Sequence, residues 1–146
     1  GADMLVSNVL PAAEDCRRAL CEKCGLLRLE FEPEFDVVYD SASSRKRGSE
    51  DYKLPGKGWQ KLGLRVIRYG DREWLSKKSG WHVVYHGTSA TPEVVSSIVR
   101  HGFRIRGGSD RARHGARLGE GVYCSPIIDK AARYADVPLW VDGVPY

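Results

Sequence analysis

Thr91-Pro92-Glu93 restricts the fold more than any other stretch of the chain, because it fixes the start of a helix to the residue. The threonine oxygen can accept from the first-turn N–H groups, proline at the first helical position gives up no needed hydrogen bond, and glutamate favours the positive end of the dipole. Val94, Val95, Ile98 and Val99 then form an apolar stripe, and Gly102 supplies the stop. Residues 81–86, dense in β-branched and aromatic side chains, predict a strand just before this helix. A loop over 107–119, a short strand over 121–124 and a helix opened by Ser125-Pro126 and running to Tyr134 follow it. The order is strand, helix, long basic loop, strand, helix.

The first half is less sharply marked. Residues 11–24 predict a helix with Pro11 in its first turn and Gly25 as its stop. Leu27, Leu29 and Phe31 alternate with Arg28, Glu30 and Glu32, the period of a half-buried strand. Residues 40–57 are polar and rich in serine, glycine and charge, and predict a loop or flexible insertion. Trp59, Leu62, Gly63, Val66 and Ile67 fit a helical template, while Leu62, Leu64 and Val66 also fit strand alternation; length favours a helix ending near Gly70.

With 146 residues, 42% hydrophobic and 29% charged, the composition is that of one soluble globular domain. No run approaches the roughly 18 apolar residues of a membrane-spanning helix, so no membrane partner is expected. Gly1-Ala2-Asp3-Met4 lacks a basic region followed by an apolar one, so the expected location is intracellular, cytoplasmic or nuclear. Cys21-Glu22-Lys23-Cys24 has the spacing of half a zinc site, but no second half accompanies it. Cys16, Leu20 and Cys24 instead share one helical face, as small buried hydrophobes would, and no metal is expected.

Charge is uneven. Six arginines lie between Arg100 and Arg117, opposed only by Asp110. Their planar forks suit a pyrophosphate or a nucleic-acid backbone, although a solvated loop would read the same way. Arg45-Lys46-Arg47 is a shorter basic run, better explained by a loop than by an import signal.

Two glycine-bearing motifs flank the basic loop, Tyr85-His86-Gly87-Thr88 and Gly119-Glu120-Gly121-Val122-Tyr123, and Tyr134 follows Tyr123 by eleven positions. A strand-end histidine alone is more often structural than functional, and Tyr123 and Tyr134 could each be packing residues; the order and separation of the motifs turn the reading toward a site. Over about residues 80–136 the chain resembles the poly(ADP-ribose) polymerase branch of the ADP-ribosyltransferases. The resemblance implies an α+β fold, a split antiparallel β-sheet with flanking helices, and NAD as donor substrate. It assigns His86 and Tyr123 as catalytic, and His86, Gly87, Thr88, Tyr123 and Tyr134 to donor binding. His86 would bond a hydroxyl of the adenosine ribose, Gly87 would offer backbone groups to the nicotinamide amide, and the two tyrosines would wall the ring, with Tyr134 stacked on it. Arg117, or Arg113, is assigned to the pyrophosphate on charge alone.

Two departures qualify that assignment. The resembled family carries a serine three residues before the stacking tyrosine, where this chain has Ala131. Its catalytic glutamate lies on a later strand, and after Tyr134 this chain offers only Asp136 and Asp142, neither in a recognisable third motif. Residues 139–146 read as a turn entering a strand that is then cut off, so the sheet is expected to be truncated at the C-terminus. The domain reading is 1–57 as an N-terminal helix, strand and polar loop of no recognised family, and 58–146 as an incomplete NAD-binding region. Three functions stand open: transfer of ADP-ribose from NAD to a protein or nucleic-acid acceptor; an inactive module on the same scaffold that binds NAD, ADP-ribose or a protein; and an RNA-binding or RNA phosphotransferase-like domain, since RNA 2'-phosphotransferases also carry a His-Gly-Thr strand. No oligomeric state follows from the sequence.

Overall fold

The structure, a computed structural model, describes residues 11–78, 81–104 and 121–146. Helix α1 spans Ala13–Cys24, with Glu14 and Asp15 in its first turn and Lys23 in its last, each at the dipole end that favours it. It starts later than the sequence predicts, because Ala12 is the cap residue and Pro11 lies outside the first turn. Gly25 ends it at φ 65°, the left-handed conformation that favours glycine.

The predicted strand over 27–32 is instead a short 3-10 turn at Arg28–Glu30. The Glu30 carboxylate accepts from the Leu27 N–H at 2.6 Å and holds the turn closed. Leu26 and Phe31 are buried while Leu27 and Leu29 are exposed, so the apolar alternation does not mark a sheet face. A second 3-10 turn, Pro33–Phe35, leads into β1 (Val37–Val38).

Residues 40–57 are no unstructured insertion. Strands β2 (Ser43–Arg47) and β3 (Glu50–Leu54) pair antiparallel, with Arg47 opposite Glu50 and Ser43 opposite Leu54. Gly48, at φ 60°, takes the first position of the two-residue turn, where a positive φ requires glycine.

The predicted helix ending near Gly70 is absent as well. Strand β4 (Gln60–Lys61) pairs with β1, and Leu64 bridges Phe31. Gly63 explains the choice. Its N–H donates to Asp36 Oδ1 at 2.8 Å and its carbonyl accepts from the Glu32 N–H at 2.8 Å. A Cβ there would overlap the Glu32 carbonyl oxygen and lie 2.7 Å from Phe35 Cβ. Backbone pairing with 30–36 outweighs a helical pattern that fits only locally.

Helix α2 (Pro92–His101) follows the sequence closely. Thr91 Oγ1 accepts from the Val94 N–H at 3.3 Å, and Gly102, at φ 71°, donates its N–H to the Ile98 carbonyl at 2.8 Å. Arg100, near its end, reaches Glu30 at 3.4 Å and the Gly25 carbonyl, which ties α2 to the end of α1. Helix α3 (Ile128–Ala132) is shorter than expected and stops before Tyr134. Residues 139–146, read from the sequence as a turn entering a strand, form a hairpin: β5 (Trp140–Val141) pairs with β6 (Val144–Pro145). Asp142 and Gly143 both take positive φ in its turn.

The core gathers these pieces. Cys24, Leu26, Phe31 and Leu139 are buried together, and Val95 and Val99 from α2 pack against them. Covering a Leu or Phe side chain is worth roughly 1.5–3 kcal/mol, so this cluster is what joins α1, α2 and the C-terminal hairpin. Among the described residues the strands form three separate two-stranded pairs, in a mixed α+β arrangement. No helix of the described residues is long and apolar enough to cross a membrane.

Candidate functional site

A single antiparallel bridge positions the motif residues. The Tyr85 N–H donates to the Ser125 carbonyl at 2.8 Å, and the Ser125 N–H returns a bond to Tyr85 at 2.9 Å. The predicted strands over 81–86 and 121–124 reduce to this one pair among the described residues, enough to lay the His-Gly-Thr segment against the chain that follows Tyr123.

Successive side chains of an extended segment point to opposite faces. Tyr85 turns to the β2–β3 hairpin and donates its hydroxyl to the Lys53 carbonyl at 2.7 Å, while the Lys53 N–H bonds the Pro126 carbonyl at 3.1 Å. Burial pushes the Tyr85 phenol up to about 12, with Tyr39 and Tyr52 adding to the shift, so it stays a donor. His86 turns the other way. Its Nδ1 lies 2.9 Å from the Tyr123 carbonyl oxygen, and its ring packs on Phe103 with centroids 4.8 Å apart.

Gly87 backs directly onto the end of α3. A Cβ there would overlap the Ala131 carbonyl oxygen, lie 2.7 Å from the Ala131 carbonyl carbon and 3.2 Å from Tyr134 Cβ. The missing side chain is therefore explained first by packing against α3. Tyr134, in the turn after that helix, donates its N–H to the Ala131 carbonyl at 3.0 Å. The clasp continues with Ser89 Oγ donating to Asp136 Oδ1 at 3.0 Å and the Ala90 N–H to the Val137 carbonyl at 2.8 Å.

The structure thus brings His86 to the backbone of Tyr123 and Gly87 to Tyr134. Tyr123 and Tyr134 are 41% and 49% exposed. Thr88 is half-buried between the two ties. Arg117 and Arg113 lie outside the described residues, as do Gly119 and Glu120. Ala131 is buried, 7% exposed, against Gly87. Phe103 is the contact that sequence reading did not assign; its place directly after the Gly102 cap was the signal.

Two shallow concavities lie elsewhere. One, of about 210 Å³, is lined by Leu29, Arg65, Ile67 and Val99 among others, and one of about 140 Å³ by Asp51, Tyr52, His82 and Pro126 among others. Neither includes a motif residue among the described ones, and neither gathers groups with an evident reaction. Among the described residues no three or more of His, Cys, Asp and Glu come together as a metal would need. Burial raises the thiols of Cys16, Cys21, Cys24 and Cys124, which disfavours the thiolate needed by a metal or a nucleophile.

The family model for the poly(ADP-ribose) polymerase catalytic domain matches residues 66–138, half of the chain. That span contains α2, α3 and every residue of the clasp from Tyr85 to Val137. No curated protein and no solved structure matches the chain.

Proposed function

Because the chain belongs to the poly(ADP-ribose) polymerase catalytic-domain family, we propose that it is an NAD-binding ADP-ribosyltransferase-like domain that passes ADP-ribose to a protein or nucleic-acid acceptor. The observation that carries this reading is the clasp, in which one extended segment sets His86 beside Tyr123 and Gly87 beside Tyr134. The split antiparallel sheet of such folds is part of the proposal, with the Tyr85–Ser125 bridge and the Lys53–Pro126 bond as its joins.

The residues fit the ligand. Neither the N–H nor the carbonyl of Gly87 has a hydrogen-bond partner among the described residues, and a carboxamide requires one acceptor and one donor. Tyr123 and Tyr134 are both exposed residues, and aromatic faces favour a flat heterocycle. His86 keeps one ring nitrogen for a ribose hydroxyl. When bound, NAD supplies the reactive glycosidic bond and nicotinamide as leaving group; this chain's share is to hold the ring, orient the ribose and exclude water.

A second reading rests on Ala131. The serine of active polymerases, present in the resembled pattern, is replaced here by a buried alanine that cannot anchor the amide. Loss of one such bond costs on the order of 0.5–1.5 kcal/mol, which favours a module that binds NAD or ADP-ribose without transferring it. Calorimetric titration of the folded chain with NAD and ADP-ribose, beside His86→Ala, tests the common part of both readings. Saturable binding that the variant loses is expected. A folded wild-type chain that binds neither ligand would remove the donor site; once binding is found, transfer assays with a labelled donor separate the two readings.

A further inference from the structure

Two contacts of His86, with the Tyr123 carbonyl and with the Phe103 ring, bear on how its imidazole is oriented. A carbonyl oxygen can only accept, so the ring nitrogen 2.9 Å from the Tyr123 carbonyl must carry a hydrogen. In the neutral imidazole the other nitrogen, Nε2, is then a lone-pair acceptor. Among the described residues nothing bonds Nε2.

The second group is Phe103, the first residue past the Gly102 cap of α2. Its ring meets the imidazole at 4.8 Å between centroids and 64° between planes, the edge-to-face arrangement that ring quadrupoles favour. A histidine on an exposed segment otherwise has a broad, roughly two-fold torsion about its ring bond, and a half-turn puts Cδ2 in the place of Nδ1 and Cε1 in the place of Nε2, which breaks the bond to Tyr123. One restraint therefore selects the protonated nitrogen, and the other opposes the half-turn that would undo the selection. They come from different elements, the 121–125 segment and the end of α2.

We propose that Phe103 is a positioning residue of the donor site, holding His86 with Nδ1–H on the Tyr123 carbonyl so that Nε2 is presented only as an acceptor for a ribose hydroxyl. This rests on the NAD reading above. It adds a requirement to it: the ligand must donate an O–H to His86, and the end of α2 must be in place for His86 to receive it.

Phe103→Leu keeps an apolar side chain but removes the ring, Phe103→Tyr keeps the ring, and Phe103→Met serves as a second ring-deleting variant should the first fail to fold. Imidazole ¹⁵N shifts of the full chain, with His86 assigned by the signals missing in His86→Ala, read the tautomer directly. Calorimetry with NAD, ADP-ribose and nicotinamide reads binding. Expected for the wild type are a pyrrole-type Nδ1 and a pyridine-type Nε2. Expected for Phe103→Leu are averaged shifts and NAD and ADP-ribose binding weakened roughly three- to tenfold, the worth of one hydrogen bond. Nicotinamide binding should be unchanged, and Phe103→Tyr should behave as wild type. A protonated Nε2 in the wild type, or ring-deleting variants that keep wild-type shifts and affinities, would overturn the inference while leaving the donor site standing. A folded wild type that binds neither NAD nor ADP-ribose would overturn both, and is told apart by failing before any variant is made.

Discussion

The region around α1 and the clasp around Gly87 are built on different terms. Around α1, Cys16, Ala19, Cys24, Leu26 and Phe31 are buried, and Arg17, the one buried charge among the described residues, is met by Glu14 at 3.1 Å and Asp36 at 3.0 Å, with Phe31 beneath its guanidinium. In the clasp segments, 81–104 and 121–134, Ala131 alone among the described residues is buried. Backbone bonds and a missing Cβ fix the geometry there, while Tyr123, Tyr134 and Phe103 are exposed residues. Closed packing supplies stability; the open arrangement of backbone ties is where the proposed donor site lies.

The sharpest way to break that contrast is to add one methyl group to each region. Gly63→Ala forces a Cβ into the Glu32 carbonyl and disrupts the 2.8 Å bonds that join 30–36 to 63–65. With several bonds and their buried surroundings lost together, it is expected to cost about 4 kcal/mol or more, read as a fall in urea midpoint. Gly87→Ala meets the Ala131 carbonyl in a less buried setting, where α3 can shift. It is expected to cost about 2–3 kcal/mol and to abolish NAD binding. If Gly87→Ala proves the more destabilising, stability is not concentrated around α1.

Next in size is Asp36→Ala. It leaves Arg17, with a side chain only 6% exposed, short of its strongest partner, and about 3 kcal/mol is expected to be lost. Burial pushes the Asp36 carboxyl up, but the Arg17 hydrogen bond and the Gly63 N–H outweigh it and the net shift is downward. A carboxyl lowered in the folded state contributes stability that is present above its unfolded pKa and is lost as pH falls through the folded value. Urea midpoints measured from neutral pH to below about pH 4 should therefore fall in the wild type and fall less in Asp36→Ala. Equal acid sensitivity in both would show that Asp36 does not carry the dependence.

The same contrast explains which parts of the molecule the sequence disclosed. Thr91, Pro92 and Gly102 mark α2, and Gly25 marks the end of α1, because caps act within a turn of the residue that makes them. The segment around Gly63 misled for the opposite reason: its conformation is set by partners near Glu32 and Asp36, about thirty positions away, so a helical template could fit its apolar residues without being obeyed. Leu27 and Leu29 misled because apolar residues at strand spacing remain exposed on a 3-10 turn. The β2–β3 hairpin was legible in principle from Gly48-Ser49, but the charge around it suggested a loop. In the site, glycine and tyrosine spacing pointed to His86, Gly87, Tyr123 and Tyr134, whereas the packing of Phe103 on His86 depends on how α2 returns to the clasp.

If the clasp holds geometry rather than stability, removing its side chains should separate the two. His86→Ala and Tyr134→Ala are expected to leave the urea midpoint within about 0.5–1 kcal/mol of wild type, as surface substitutions do, while NAD binding is lost. A large fall in midpoint for either would place that side chain in the stabilising framework. Retention of NAD binding by both would remove them from the site.

The smallest expected effect is at Ala131, where the two regions' terms meet, since it is buried yet belongs to the clasp. Ala131→Ser adds one oxygen, and a helical serine can satisfy its hydroxyl on the carbonyl four residues back, here Ile127. If the alanine merely deletes an anchor for the donor amide, serine should tighten NAD binding by roughly two- to tenfold, one hydrogen bond's worth, without moving the urea midpoint. If instead residue 131 is there to seat α3 on Gly87, the extra atom should lower the midpoint by about 1–3 kcal/mol and leave affinity unchanged. The first result locates the carboxamide beside α3 and makes Ala131 an attenuating substitution. The second makes the end of α3 a packed surface like those around α1, and moves the boundary between scaffold and site to the exposed face of Tyr134.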